Sequence, residues 1–337
     1  MKEMNKWERV DAALHGAEAD RVPISLWKHY HLQDRAPGQL SALTLALHRQ
    51  FDTDLIKLTP SGLYPIQDWG PAIQFGTDDD FLPLVARPVI NAASEWEELP
   101  RLDVNKGALR RELETIHHVA AGLDGSAPFM MTIFSPLNIA YKLCGDKLSG
   151  EAVVQHIRQA PRQLHAGLAL IRDVVIDYAA ACLEAGASGI FFATQMATAD
   201  LVTPPEFEEF GKAYDLPVLE SLLGKSRVTM LHVCQQNLLF DQITGYPVDV
   251  INWATCDSGV TLDHARSMTD RPLAGGLSLE VLLNGTQEDV RNQVRDAIAQ
   301  AGPRGFILAP DCVIKGPTPD ANLAAARHAV EEGFGPS

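Results

Sequence analysis

The chain has 337 residues, 46% of them hydrophobic and 21% charged, the balance of an ordinary globular protein with ample core rather than a disordered or fibrous one. A formal net charge of -15 argues against binding a phosphate backbone, which needs basic patches to displace counterions. The length suits either two average domains or one α/β barrel with insertions.

The opening stretch, "MKEMNKWERVDAALHG", is charged and amphipathic, with no apolar core of a signal peptide. No apolar run approaches the roughly 20 residues that span a bilayer, so a cytoplasmic protein without a membrane partner is expected. The five cysteines are too few and too dispersed for a disulfide framework in a chain of this size. Cys144 and Cys182 lie in helix-like apolar surroundings and read as small core residues.

Short β-branched segments then alternate with longer amphipathic ones. Strands are expected over 22–27, 54–59, 128–134, 189–194, 227–234, 248–254, 271–277 and 305–312. Helix starts are marked by Thr203, by Thr286 and by Pro319-Asp320, and Gly302 closes the penultimate helix. The early third is less regular. Eight strands, each followed by helix or loop, fit a (β/α)8 TIM barrel better than a doubly wound sheet with a second domain. No repeat, low-complexity tract or linker interrupts the chain, so one domain over 1–337 with a short N-terminal helical extension is expected.

The strand expected over 227–234 ends in His232 and Cys234. Side chains at i and i+2 of a strand point to the same face, so these two project together. The last expected strand ends in Cys312. In a barrel the carboxyl ends of all strands meet at one face, where active sites are built, so the three side chains converge on one rim. An N/S/S set suits Zn²⁺, and three protein ligands with an open fourth position is the pattern of a catalytic zinc site. A cysteine is also commonly just a small buried hydrophobe, and both readings stand on spacing alone.

Around the same rim, Lys28, His29 and His31 follow the first expected strand and are candidates for recognising an anionic group, or else solvated loop residues. Gln195 follows the fourth strand, and its neutrality leaves water as the simplest fourth ligand. Asp311 and Lys315 flank Cys312 and either orient the site or cap the following turn. Asp68 and Trp69 in "YPIQDWG" read as a structural turn.

The segment "GFILAPDCVIKGPTPDANLAAARHAV" resembles the C-terminal signature of the uroporphyrinogen decarboxylase superfamily. "GIFFATQMATADLVTPPEFEEF" is similar to its middle signature, and "DRVPISLW" to its N-terminal one, so the resemblance spans most of the chain. The superfamily implies a (β/α)8 barrel. It does not fix the reaction, because function lives in the site. The decarboxylases carry an arginine-rich R-Q-A-G-R segment after the first strand; here the matching stretch is "LWKHYHLQDR", and their key aspartate aligns near Ser61. A substrate with eight carboxylates would find few partners here.

The superfamily's zinc-dependent methyltransferases, which act between a methylated corrinoid protein and a thiol such as coenzyme M, carry H-x-C followed far downstream by a second cysteine. His232, Cys234 and Cys312 match that signature. The resemblance therefore implies zinc on these three residues, a thiol bound at the zinc as methyl acceptor or donor, and no protein nucleophile. Coordination strips the thiol proton while keeping the sulfur nucleophilic. No corrinoid-binding module is evident, and Asp263-His264 lacks the D-x-H-x-x-G spacing such modules use. The methyl donor would be a separate corrinoid protein or a methylated small molecule, and a homodimer is compatible with the resemblance. Two other classes remain open: a metal-independent decarboxylase or lyase acting on a smaller acid, and a non-catalytic corrinoid or tetrapyrrole carrier.

Overall fold

The computed structural model describes residues 3–76, 82–145 and 150–332; the outermost residues of the domain expected over 1–337 lie outside the described residues. The strands are β1 (Ile56–Leu58), β2 (Ala72–Gln74), β3 (Leu84–Arg87), β4 (Phe129–Phe134), β5 (Gly189–Thr194), β6 (Val228–Val233), β7 (Val250–Trp253), β8 (Leu273–Leu277) and β9 (Phe306–Pro310). Seven of them pair in parallel in the order β1-β4-β5-β6-β7-β8-β9. The remaining two, β2 and β3, form an antiparallel hairpin that the sequence reading did not anticipate.

The strand expected over 22–27 is not a regular strand, so the sheet has seven members rather than eight. The segment is extended, however, and hydrogen-bonds on both sides. Ser25 N donates to Leu308 O at 2.9 Å and Leu308 N to Pro23 O at 2.9 Å, while Asp54 N donates to Ile24 O at 2.8 Å. Isolated parallel bridges join Ile24 to Leu308 and Lys28 to Ile314. A continuous ladder fails for local reasons. Pro23 has no N–H, and the N–H of Ile24 is taken by the side chain of Asp54 at 2.9 Å.

Strand alternation sorts the sheet into two faces. One face, with Trp27, Leu55, Met130, Phe191, Ala193, Met230, Val250, Ala274, Ile307 and Ala309, forms its own compact cluster. The opposite face, with Ile56, Met131, Ile190, Leu231, Ile251 and Leu308, packs under the helices in a much larger one. Both faces are apolar, which is why the strands read as near-continuous hydrophobic runs. The same parity places Lys57, His232 and Asn252 on the face of the small cluster.

The helix Lys6–Leu14 begins with a capping box between Asn5 and Glu8 and packs Val10 and Ala13 against that small cluster. Its Arg9 is buried and donates to Asp20 at 2.6 Å and to Asp54 at 2.7 Å; Arg21 donates to the other oxygen of Asp54 at 2.6 Å. Asp54 thus ties the helix and the extended segment to the start of β1. Helix starts at Thr203 and Thr286 are capping boxes, and Gly302 follows the helix Gln287–Ala301. The helix after Thr203 is not uniform: a π-helical turn spans Glu208–Lys212, and Pro217 sits inside the segment Ala213–Leu222. Among the described residues no helix is long and apolar enough to cross a membrane.

Candidate metal centre

His232 lies inside β6, Cys234 one residue beyond its end, and Cys312 two residues beyond β9. Because both strands run parallel, their ends reach the same rim, and the ligand atoms of the three side chains lie within 4.8 Å of one another. Cys234 Sγ is 3.6 Å from Cys312 Sγ, and Cys312 Sγ is 3.9 Å from His232 Nε2. Zinc-to-sulfur bonds of about 2.3 Å and zinc-to-nitrogen bonds of about 2.1 Å at tetrahedral angles give edges of about 3.8 Å and about 3.6 Å. The observed separations fall within a few tenths of an ångström of those edges, so the donor set fits such an ion by both chemistry and spacing.

The parallel register sets Asn252 of β7 beside His232. Asn252 is fully buried, and its amide nitrogen donates to the carbonyls of Ala274 at 3.0 Å and Pro310 at 3.4 Å. Its Oδ1 must therefore face His232, whose Nδ1 donates to it at 2.6 Å. The imidazole is fixed as the tautomer that carries its proton on Nδ1, leaving the Nε2 lone pair directed at the cysteines. Phe191 of β5 stacks on the ring at 5.0 Å between centroids and holds its plane.

The two sulfurs share a hydrogen bond. That bond holds the Cys312 thiol well below the usual thiol range, helped by His232, and pushes Cys234 up. Metal binding would draw on both sulfurs as thiolates, and the shared hydrogen bond already favours that form at Cys312. Asp311, next in chain to Cys312, accepts from Thr255 Oγ1 at 2.6 Å and from Cys256 N at 2.9 Å. It anchors the turn after β7 to the loop after β9, and so positions Cys312. Burial pushes its carboxyl up to about 6.

Lys57 of β1 projects from the same inner face and is 4% exposed. Its Nζ donates to Thr59 Oγ1 at 3.1 Å and lies 4.5 Å from the centroid of the Phe191 ring that stacks on His232. No carboxylate pairs with it among the described residues, and burial lowers its amine to about 7.

The other rim candidates are placed as follows. His29 and His31 stack at 4.6 Å between centroids, half-buried and buried respectively; Lys28 is half-buried where its backbone meets Ile314. Gln195 is half-buried directly after β5, and Lys315 is exposed, its carbonyl accepting from Thr318 N. Asp68 caps the helix Gly107–Leu123, accepting from Ala108 N at 2.9 Å and Leu109 N at 3.2 Å, and Trp69 donates to Pro100 O at 3.0 Å. Gly107 is required there: a Cβ would sit 2.0 Å from the Asp68 carboxylate oxygen. Cys144 and Cys182 are buried, and burial raises both thiols, the first to about 12.

Two residues of the centre escaped the sequence reading, Asn252 and Lys57. Each was signalled by a polar residue in the middle of an apolar strand, "VINW" and "LIKL". Asp34, which lies beside His31, was passed over for want of any strand or helix to place it.

A family model described as uroporphyrinogen decarboxylase (URO-D) matches residues 5–333. The methylated-thiol–coenzyme M methyltransferase of Methanosarcina mazei is 24% identical over 98% of this chain and 90% of that protein. A methylcobamide:CoM methyltransferase of Methanosarcina barkeri is 23% identical over 98% and 99%. Among solved structures, a methyltransferase from Methanosarcina mazei superposes with a TM-score of 0.84 at 22% identity, covering 98% of this chain and 99% of that one. The chain therefore belongs to the uroporphyrinogen decarboxylase family.

Proposed function

We propose that this protein is a zinc-dependent methyltransferase that moves a methyl group between a methylated donor, either a corrinoid protein or a methylated small molecule, and a thiol. The observation behind this reading is the convergence of His232 Nε2, Cys234 Sγ and Cys312 Sγ within 4.8 Å, with Asn252 holding the histidine in its ligating tautomer. We read the chain as a single barrel domain whose eighth position is the extended segment 22–28, hydrogen-bonded to β9 on one side and to Asp54 on the other.

A zinc ion held by these three residues would keep a substrate thiol in its nucleophilic, deprotonated form at neutral pH. The chain's own residues supply the rest. Asn252 and Phe191 fix the imidazole, and Asp311 fixes the loop that carries Cys312. Lys57, without a carboxylate partner among the described residues, offers a positive charge on the inner face to an acidic group of the substrate. The transfer itself breaks the bond between methyl and its carrier and forms a carbon–sulfur bond, with the thiol proton released to solvent. Holding the two partners in line is the proximity contribution of the rim.

The test is metal analysis of purified protein and Cys312→Ser, each prepared without added metal and then repleted with Zn²⁺. It is run beside an assay of thiol-dependent demethylation of methylcobalamin with coenzyme M. Zinc that is near-stoichiometric in the parent and lost in the variant, with activity lost in parallel, is expected. A metal-free Cys312→Ser protein that still transfers methyl, or a parent that takes up no zinc, would overturn the reading in favour of metal-independent chemistry.

A further inference from the structure

The segment that leaves the inner ring after Trp27 makes a second cluster of ligand atoms. His29, His31 and Asp34 bring theirs within 4.8 Å of one another. The local chain explains the approach. His29 follows the bridged Lys28, and the turn over residues 31–35 that opens at His31 brings Asp34 back, with Asp34 N and Gln33 N both donating to Tyr30 O, at 2.7 and 2.9 Å. Asp34 Oδ2 lies 3.7 Å from His31 Nδ1, too far for a hydrogen bond.

Asp34 is 1% exposed, and neither of its carboxylate oxygens accepts a hydrogen bond from a described residue; His31 Nδ1 is likewise buried without one. A buried carboxylate left so is costly: His31, Arg35 and Arg111 act on it without offsetting its burial, so a proton or a bound cation is called for. The two imidazoles stack face to face at 4.6 Å with planes 24° apart, so protonating both would set like charges against each other. A single divalent cation would neutralise Asp34 and take a nitrogen from each imidazole.

We propose that His29, His31 and Asp34 form a second metal site, distinct from the cysteine centre and specific for a divalent first-row ion with affinity for imidazole, such as Zn²⁺, Co²⁺, Ni²⁺, Fe²⁺ or Mn²⁺. Two nitrogens and one oxygen disfavour Mg²⁺ and Ca²⁺, which take oxygen ligands. All three ligands come from six consecutive residues, so the loop chelates the ion with little ordering of distant chain. Burial itself pushes the Asp34 carboxyl up, which a bound cation would reverse.

Cobalt titration of the full-length apo protein separates the two centres by spectrum. Co²⁺ at the cysteine centre brings a thiolate-to-metal charge-transfer band, whereas Co²⁺ on His29, His31 and Asp34 brings only ligand-field bands. The expected result is a second equivalent bound without added charge transfer. It should survive in Cys234→Ser/Cys312→Ser and vanish in Asp34→Asn, which retains the charge-transfer equivalent. Saturation of the parent at one equivalent overturns the proposal, even if the double variant fails to fold. So does a second equivalent that persists in both Asp34→Asn and His31→Gln. Failure of the cysteine centre would instead remove the charge-transfer band and leave this site intact.

Discussion

Asn252→Leu removes the acceptor that meets His232 Nδ1 at 2.6 Å and the donor shared by the carbonyls of Ala274 and Pro310. Leucine keeps the heavy-atom count and branching at this fully buried position while removing every polar atom, so hydrogen bonding is the main change and its bulkier methyls add a smaller packing cost. The ring is then free to carry its proton on Nε2, the atom that faces Cys312 at 3.9 Å, and must surrender it before ligating. Removing such a hydrogen-bond partner typically weakens metal binding by about 10–100-fold, or roughly 1.4–2.7 kcal/mol. The orphaned carbonyls of Ala274 and Pro310 add about 1–3 kcal/mol of lost folding stability. Competition of apo protein against a chromophoric zinc chelator measures the first quantity, and urea unfolding of the apo protein the second. An unchanged zinc dissociation constant in a folded Asn252→Leu protein would refute the tautomer reasoning and make Asn252 a packing residue only.

Lys57 yields a pH signature. Its amine is lowered by burial to about 7 in the folded chain, against about 10.4 when unfolded. Between those values the unfolded state holds the extra proton, so stability rises with pH, by about 1.4 kcal/mol per unit, and the full penalty remains below the folded value. The difference between parent and Lys57→Met should therefore change by about 2 kcal/mol from about pH 7.5 to about pH 9 in chelator-treated, reduced protein. Parallel stability curves would mean that Lys57 is charged and paired throughout. Asp54→Asn should cost about 3–5 kcal/mol in urea unfolding, because Arg9 and Arg21 lose their shared buried anion. A loss well under that range would show that the extended segment at Ile24 is anchored by its backbone bonds alone.

The metal-ligand candidates were legible because two periodicities coincide. In a strand, i and i+2 share a face, so His232 and Cys234 had to project together. In a parallel sheet all strands end on one side, so Cys312 had to reach the same rim. Eight hydrophobic runs likewise pointed to an α/β barrel, and seven became regular strands. The eighth, 22–27, fell short because Pro23 and the side chain of Asp54 occupy the places of ladder bonds. The hairpin of β2 and β3 was missed since its strands are short and only half-buried or exposed, with no hydrophobic alternation to announce them.

What the sequence determined by itself is therefore whatever depends on period and chain direction: the strand-and-helix order, the capping boxes at Thr203 and Thr286, and the common rim of the three candidate ligands His232, Cys234 and Cys312. Only tertiary structure decided which polar side chains from different strands meet there. The pairing of Asn252 with His232 follows from the register of β6 and β7, and the unpaired amine of Lys57 from the absence of a carboxylate beside it among the described residues. Both depend on contacts between residues far apart in the chain, which no local pattern encodes.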